Sequence, residues 1–131
     1  VFTDIIDSTN LWEHNQKAMQ VALKLHDSII RTELLRFGGY EVKTLGDGFH
    51  ASFSQPEAAL NFCMATQEKL RAAVWPREIV EYAFREGYGD GHSRSLEPRG
   101  LRVRMGIHFG RPFSCRVDQL TGRVDYHGPM I

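Results

Sequence analysis

Tyr40-Glu41-Val42-Lys43-Thr44-Leu45-Gly46-Asp47-Gly48-Phe49-His50-Ala51-Ser52-Phe53 is the stretch from which the fold is read. Tyr40 to Leu45 is β-prone, Gly46-Asp47-Gly48 is a tight turn, and Phe49, Ala51 and Phe53 alternate onto one face. This is a β-hairpin with an aspartate at its tip. Upstream, Leu11, Ala18, Val21, Ala22, Leu25, Ile29 and Leu34 recur at the spacing of a helical stripe, and Gly38-Gly39 closes the run. The pattern predicts one long amphipathic helix from about residue 11 to residue 36. Val1 to Asp4 reads as a strand that feeds it through the polar cluster Asp7-Ser8-Thr9-Asn10, which is rich in capping side chains.

Downstream, Pro56 opens a second helix whose apolar positions are Ala59, Phe62, Cys63, Thr66, Leu70 and Ala73, ending near Trp75-Pro76. Residues 77–100 hold four glycines, Gly87, Gly89, Gly91 and Gly100, and read as an insertion with a short helix at Glu78 to Arg85. Leu101, Val103, Met105 and Ile107 alternate with polar or small residues, the period of a half-buried strand. Two further strands, Phe113 to Val117 and Arg123 to Tyr126, form a trailing hairpin.

The order β-α-β-β-α-β predicts an α+β fold: a ferredoxin-like core with an antiparallel sheet, long helices on one face, an insertion before the fourth strand and the hairpin at the end. Residues 1–131 then form one domain. The split βαβ arrangement pairs the first and third strands at the centre of the sheet, which sets Asp4 near Asp47. Two carboxylates at one sheet edge can share a pair of divalent cations through oxygen ligands. Taken singly, Asp4 reads as a helix cap and Asp47 as an ordinary turn residue.

Sixteen basic residues balance sixteen acidic ones, so no bulk field draws the chain to nucleic acid or to an anionic membrane. From Arg77 onward every basic residue other than histidine is an arginine, which suits a polyanionic small molecule bridged by metal. Cys63 and Cys115 form no C-x-x-C pair, so reduced thiols in a cytoplasmic setting are expected, with Cys63 as core filler. No stretch reaches the roughly 18 apolar residues of a membrane span, so no membrane contact is expected from this segment, although a parent protein can be membrane-associated. The chain opens on a strand without an initiating methionine, which reads as a segment of a longer protein. Gly87-x-Gly89-x-x-His92 fails the dinucleotide fingerprint, and the six histidines lack zinc spacing.

Four motifs add to this reading. Phe2-Thr3-Asp4-Ile5 followed by Ser8-Thr9 resembles the first metal motif of class III adenylyl and guanylyl cyclases, and Gly39 to Asp47 resembles the second. Arg104 to Gly110 looks like the strand that follows, and Asp125-Tyr126-His127-Gly128-Pro129-Met130 looks like the base-selecting segment, most like that of fungal and protist enzymes. The resemblance implies an adenylate cyclase, a phosphorus–oxygen lyase that converts ATP to 3′,5′-cyclic AMP and pyrophosphate with two Mg²⁺ or Mn²⁺ ions. It implies that Asp4 and Asp47 are the catalytic metal ligands, with the Ile5 carbonyl helping, and that Arg104 and the turn Asp7, Ser8, Thr9 contact the triphosphate. Lys43 and Asp125 would read adenine, whose edge offers one acceptor and one donor, where guanylyl cyclases usually carry glutamate and cysteine. It implies a head-to-tail homodimer with composite sites, in which metal ligands of one subunit meet base-reading residues of the other.

The family's asparagine and transition-state arginine lie beyond Met130, so the 131-residue stretch alone is expected to make little cyclic AMP. The alternatives are a catalytically degenerate nucleotide-binding or regulatory module, or a guanylyl cyclase. A diguanylate cyclase shares the strand order, but its Gly-Gly-acidic signature at the hairpin tip is absent.

Overall fold

In a computed structural model of the chain, the described residues are 1–86, 100–111, 114–117 and 123–127. β1 (Phe2–Ile5) runs at the centre of a four-stranded antiparallel sheet, between β3 (Gly48–Ser52) and β4 (Val103–Gly106), with β2 (Tyr40–Leu45) outside β3. The expected pairing of the first and third strands is therefore present. β5 (Ser114–Val117) and β6 (Val124–His127) make the separate trailing hairpin. The turn expected between them at 118–122 lies outside the described residues.

Between β1 and β2 the chain forms two helices where one was expected: α1 (Ser8–His14) and α2 (Gln16–Arg36). Asn15 causes the break. Its backbone is extended, at φ −156°, and its side-chain oxygen accepts from the Ala18 N–H at 3.0 Å, which caps a new helix. The buried face of α2 also differs from the apolar stripe. Ala18, Met19, Ala22, His26, Ile30, Glu33 and Leu34 are buried, whereas Val21 is 58 % exposed. Two polar residues on that face have partners: Glu33 is ion-paired with Lys69 at 3.1 Å and Arg36 at 3.3 Å, and His26 Nδ1 is hydrogen-bonded to Asp27 Oδ1 at 2.8 Å.

α3 (Pro56–Ala72) buries Ala59, Phe62, Cys63, Thr66 and Leu70, as its spacing predicts. Ile30, Leu34, Phe49, Ala51, Phe62 and Cys63 make one core cluster beneath the β3 side of the sheet. A second cluster gathers Ile5, Leu11, Met19, Trp75, Ile79, Tyr82 and Val103, among others. It recruits α4 (Arg77–Arg85), the helix that opens the expected 77–100 insertion; residues 87–99 lie outside the described set.

The sheet's two faces follow from the register. Phe2 pairs with His50, Asp4 with Arg104 and Ile5 with Val103. Ile5, Phe49, Ala51 and Val103 point to the helices and are buried, so Phe2, Asp4, His50 and Arg104 occupy the other face. A register irregularity between Glu41 and Lys43 places Lys43 opposite His50, on that same outer face.

Burial pushes the His26 imidazole below its ordinary value of 6.5, against the opposing pull of Asp27. An unfolded chain then binds that proton more readily than the folded one, so this contribution to stability is complete above pH 6.5 and is lost as pH falls through the lower folded value. Thermal melts from pH 7.5 to 5.5 should show a falling Tm. His26→Leu should flatten that dependence, and an unchanged slope in the variant would show that another group is responsible.

Candidate active site

Asp4 lies in the C-terminal half of β1, half-exposed, with its Oδ2 ion-paired to the Arg104 guanidinium of the neighbouring β4. Arg104, expected to face a triphosphate, is thus engaged by Asp4 and is itself 69 % exposed. Asp47 sits in the β2–β3 turn, where Gly46 adopts φ +61°, a conformation that L side chains rarely take. Asp47 Oδ2 is buried and, among the described residues, has no hydrogen-bond partner.

The tip is fastened to β1 next to Asp4. The Phe49 N–H donates to Thr3 Oγ1 at 3.0 Å, and Gly48 lies so close that an added Cβ would stand 2.5 Å from the Thr3 carbonyl oxygen. The buried hydroxyl of Thr3 and the missing side chain of Gly48 together let the hairpin carry Asp47 up to the strand that carries Asp4. Neither residue was singled out from the sequence. The signal available was the Gly-Asp-Gly spacing, which reveals a turn but not a close backbone approach.

The turn between β1 and α1 is equally constrained. Asp7 takes a left-handed conformation, at φ +64°, and provides no side-chain cap for α1. Its Oδ1 accepts from Asn10 Nδ2 at 2.9 Å and its Oδ2 from the Tyr82 hydroxyl at 3.2 Å. Ser8 and Thr9 begin α1, a helix of seven residues in place of the start of a long one. The Ile5 backbone ends β1, and Ile6 N–H donates to the Arg102 carbonyl at 2.8 Å.

Lys43 is on β2, and the β5–β6 hairpin is tied to that strand. Val124 N–H donates to the Tyr40 hydroxyl at 2.9 Å, and Arg123 lies 3.3 Å from Glu41 Oε1. Asp125 follows Val124 in β6, so the strands bearing the two expected base-reading residues are neighbours; the Asp125 side chain is outside the described set, as are Gly128, Pro129 and Met130. A cleft of about 460 Å³ opens toward the other end of β1, lined by Val1, Phe2, Tyr40, His50, Phe53 and Phe109 among others, and it contains none of the expected site residues.

With this geometry in place, comparison with known proteins is informative. The family model described as the adenylate and guanylate cyclase catalytic domain matches residues 1–131. The chain belongs to this cyclase family. An adenylate cyclase of Mycosarcoma maydis is 50% identical over all of this chain, and one of Schizosaccharomyces pombe is 44% identical over the same length. The chain spans only 5% and 8% of those two proteins. A solved structure of adenylate cyclases from Trypanosoma brucei in their monomeric state superposes with a TM-score of 0.82 at 30% identity, covering 98% of this chain and 62% of that one. A dimeric guanylyl cyclase domain from Blastocladiella emersonii, at 17% identity and a TM-score of 0.64, shares the fold. No helix among the described residues is long and apolar enough to cross a membrane.

Gly48→Ala should force the hairpin tip off β1. Overpacking of this kind costs about 1–3 kcal/mol, so the variant should melt at lower temperature. Wild-type melting would show that the close approach does not constrain the hairpin tip.

Proposed function

We propose that this domain is the catalytic part of an adenylyl cyclase, forming 3′,5′-cyclic AMP and pyrophosphate from ATP. The observation that carries the reading is the fastening of the Asp47 turn to the strand of Asp4, with one Asp47 oxygen buried and, among the described residues, lacking a hydrogen-bond donor. A buried carboxylate oxygen without a partner is costly, and a cation would satisfy it. Fungal adenylate cyclases at 44–50% identity support the same reading.

Asp4, Asp47 and the Ile5 carbonyl form an all-oxygen donor set that fits hard divalent cations, Mg²⁺ or Mn²⁺. When bound, such ions supply a lowered pKa for the ribose 3′-hydroxyl and neutralise charge on the triphosphate. The chain's own residues do the positioning. Asp4 and Asp47 hold their carboxylates on a rigid sheet, so little reorganisation is needed as charge develops. Arg104 exchanges its ion pair with Asp4 for a phosphate oxygen when substrate arrives. The backbone from Asp7 to Thr9 offers N–H groups that lack intrahelical acceptors to the triphosphate. Lys43 and Asp125 select adenine, and the ties between Tyr40 and Val124 and between Glu41 and Arg123 keep their strands adjacent. A head-to-tail homodimer completes two equivalent sites from one sequence, each drawing its metal ligands and its base-reading pair from different subunits.

The test uses the full polypeptide that contains this domain. Asp4→Asn and Asp47→Asn should each lower cyclic AMP formation by about 10²–10³-fold, the scale of removing one preorganised charge contact, with Tm retained. Turnover near the wild-type rate in either variant, or a wild-type protein that does not convert ATP, would refute the assignment.

Base selection is tested separately. Replacing Lys43 with Glu and Asp125 with Cys removes the donor and acceptor that fit adenine. Each unpaired buried polar group costs about 1–3 kcal/mol, so kcat/KM for ATP should fall relative to that for GTP by about tenfold or more. An unchanged ratio with activity still measurable would mean that another pair reads the base.

A further inference from the structure

Asp7 presents a problem for a triphosphate site. It lies in the middle of the turn proposed to receive phosphate, and a carboxylate there would repel the substrate. The structure turns it away. Both of its oxygens accept from donors of the protein, Asn10 Nδ2 at 2.9 Å and the Tyr82 hydroxyl at 3.2 Å, while its carbonyl accepts from Leu11 N–H at 3.0 Å. Its backbone is the one non-glycine among the described residues with positive φ. Such a conformation is unfavourable for an L residue and persists where surrounding contacts over-determine it.

Tyr82 comes from far away in sequence. It belongs to α4, 75 residues beyond Asp7, and it is 8% exposed, with its ring in the same core cluster as Ile5, Leu11 and Ile79. Its ring also lies against His14 at the end of α1, with centroids 5.0 Å apart. The hydroxyl is therefore delivered by a rigidly packed side chain. It can hold Asp7 in place more firmly than Asn10 can, because Asn10 is exposed on the same short helix.

We propose that Tyr82 is a positioning residue for the triphosphate: by donating to Asp7 Oδ2 it fixes the left-handed turn between β1 and α1 and holds that carboxylate away from the phosphates. This rests on the adenylyl cyclase reading and gives α4 a part in it. The Tyr82 hydroxyl acts through Asp7, so its effect is expected at the phosphate end of the substrate. Asp7 itself is a scaffold residue of the turn, not a phosphate ligand.

Tyr82→Phe in the full polypeptide removes only the hydroxyl. Losing one hydrogen bond of ordinary net strength corresponds to about three- to tenfold in binding, so KM for MgATP and the inhibition constant of pyrophosphate should both rise by that factor. The inhibition constant of adenosine, which lacks phosphates, should stay within about twofold. Adding Asp7→Asn, which removes the repelling charge and tolerates positive φ, should bring KM in Tyr82→Phe back toward wild type. Unchanged KM and pyrophosphate inhibition would overturn the proposal whether or not Tm falls. Equal weakening of pyrophosphate and adenosine would overturn it too, because that is general damage. A wild-type protein that forms no cyclic AMP would instead refute the functional reading, and pyrophosphate binding by calorimetry would then decide the role of Tyr82.

Discussion

The joint between Thr3 and the β2–β3 hairpin sets the positions of everything else. Thr3 is buried, its hydroxyl accepts from Phe49 N–H, and its carbonyl leaves room at Gly48 for a hydrogen atom and nothing larger. These contacts lock β1 to β3 across 46 residues of sequence in the register that pairs Phe2 with His50. A slip of one residue would reverse the faces of β1. Ile5, now 2% exposed in the core, would go outward, and Asp4 would be forced among the helices. The hydrophobic demand of Ile5 therefore fixes which face of the sheet Asp4 occupies.

The outer edge of the sheet is organised by a second device, Glu41. Arg31 of α2 forks onto both of its oxygens at 3.1 and 3.2 Å, Thr44 donates at 2.7 Å, and Arg123 approaches from the β5–β6 hairpin. Burial alone would raise the pKa of this carboxyl, but the donors outweigh it and hold the group below the ordinary carboxylate range. Exposed ion pairs contribute little one at a time. Glu41 differs because its side chain is 13% exposed and three elements converge on it. It joins the strand of Lys43 to a helix on one side and to the strand of Asp125 on the other.

Much of this was legible in the sequence because period and turn chemistry are local. The alternation of Phe49, Ala51 and Phe53, the stripe of α3 and the glycines of the hairpin gave the strand order, and with it the neighbourhood of Asp4 and Asp47. Details that depend on contacts distant in sequence were not legible. The apolar spacing of Val21 and Leu25 predicted a buried stripe, yet α2 rotates to bury His26 and Glu33, because Asp27 and Lys69 are there to pair with them. The break at Asn15 was hidden inside a good helical period, since an asparagine is tolerated in a helix until its side chain finds a backbone N–H to cap. Asp7 looked like a capping or phosphate-facing residue. One of its hydrogen-bond donors, Tyr82, stands 75 positions away on a helix whose packing no local pattern reveals.

The two carboxylates of the proposed metal site are not equivalent, and the difference bears on how that site would accept its ligands. Asp4 already has a cationic partner in Arg104, and both groups are largely open to water, so exchanging that partner costs little. Among the described residues Asp47 has one oxygen buried without a donor, a state that low dielectric makes expensive and that a cation would relieve. The environment therefore favours cation binding most strongly at Asp47, on the rigid hairpin tip. In the proposed site Asp4 would complete the donor set on giving up Arg104, which would then be available to a phosphate oxygen.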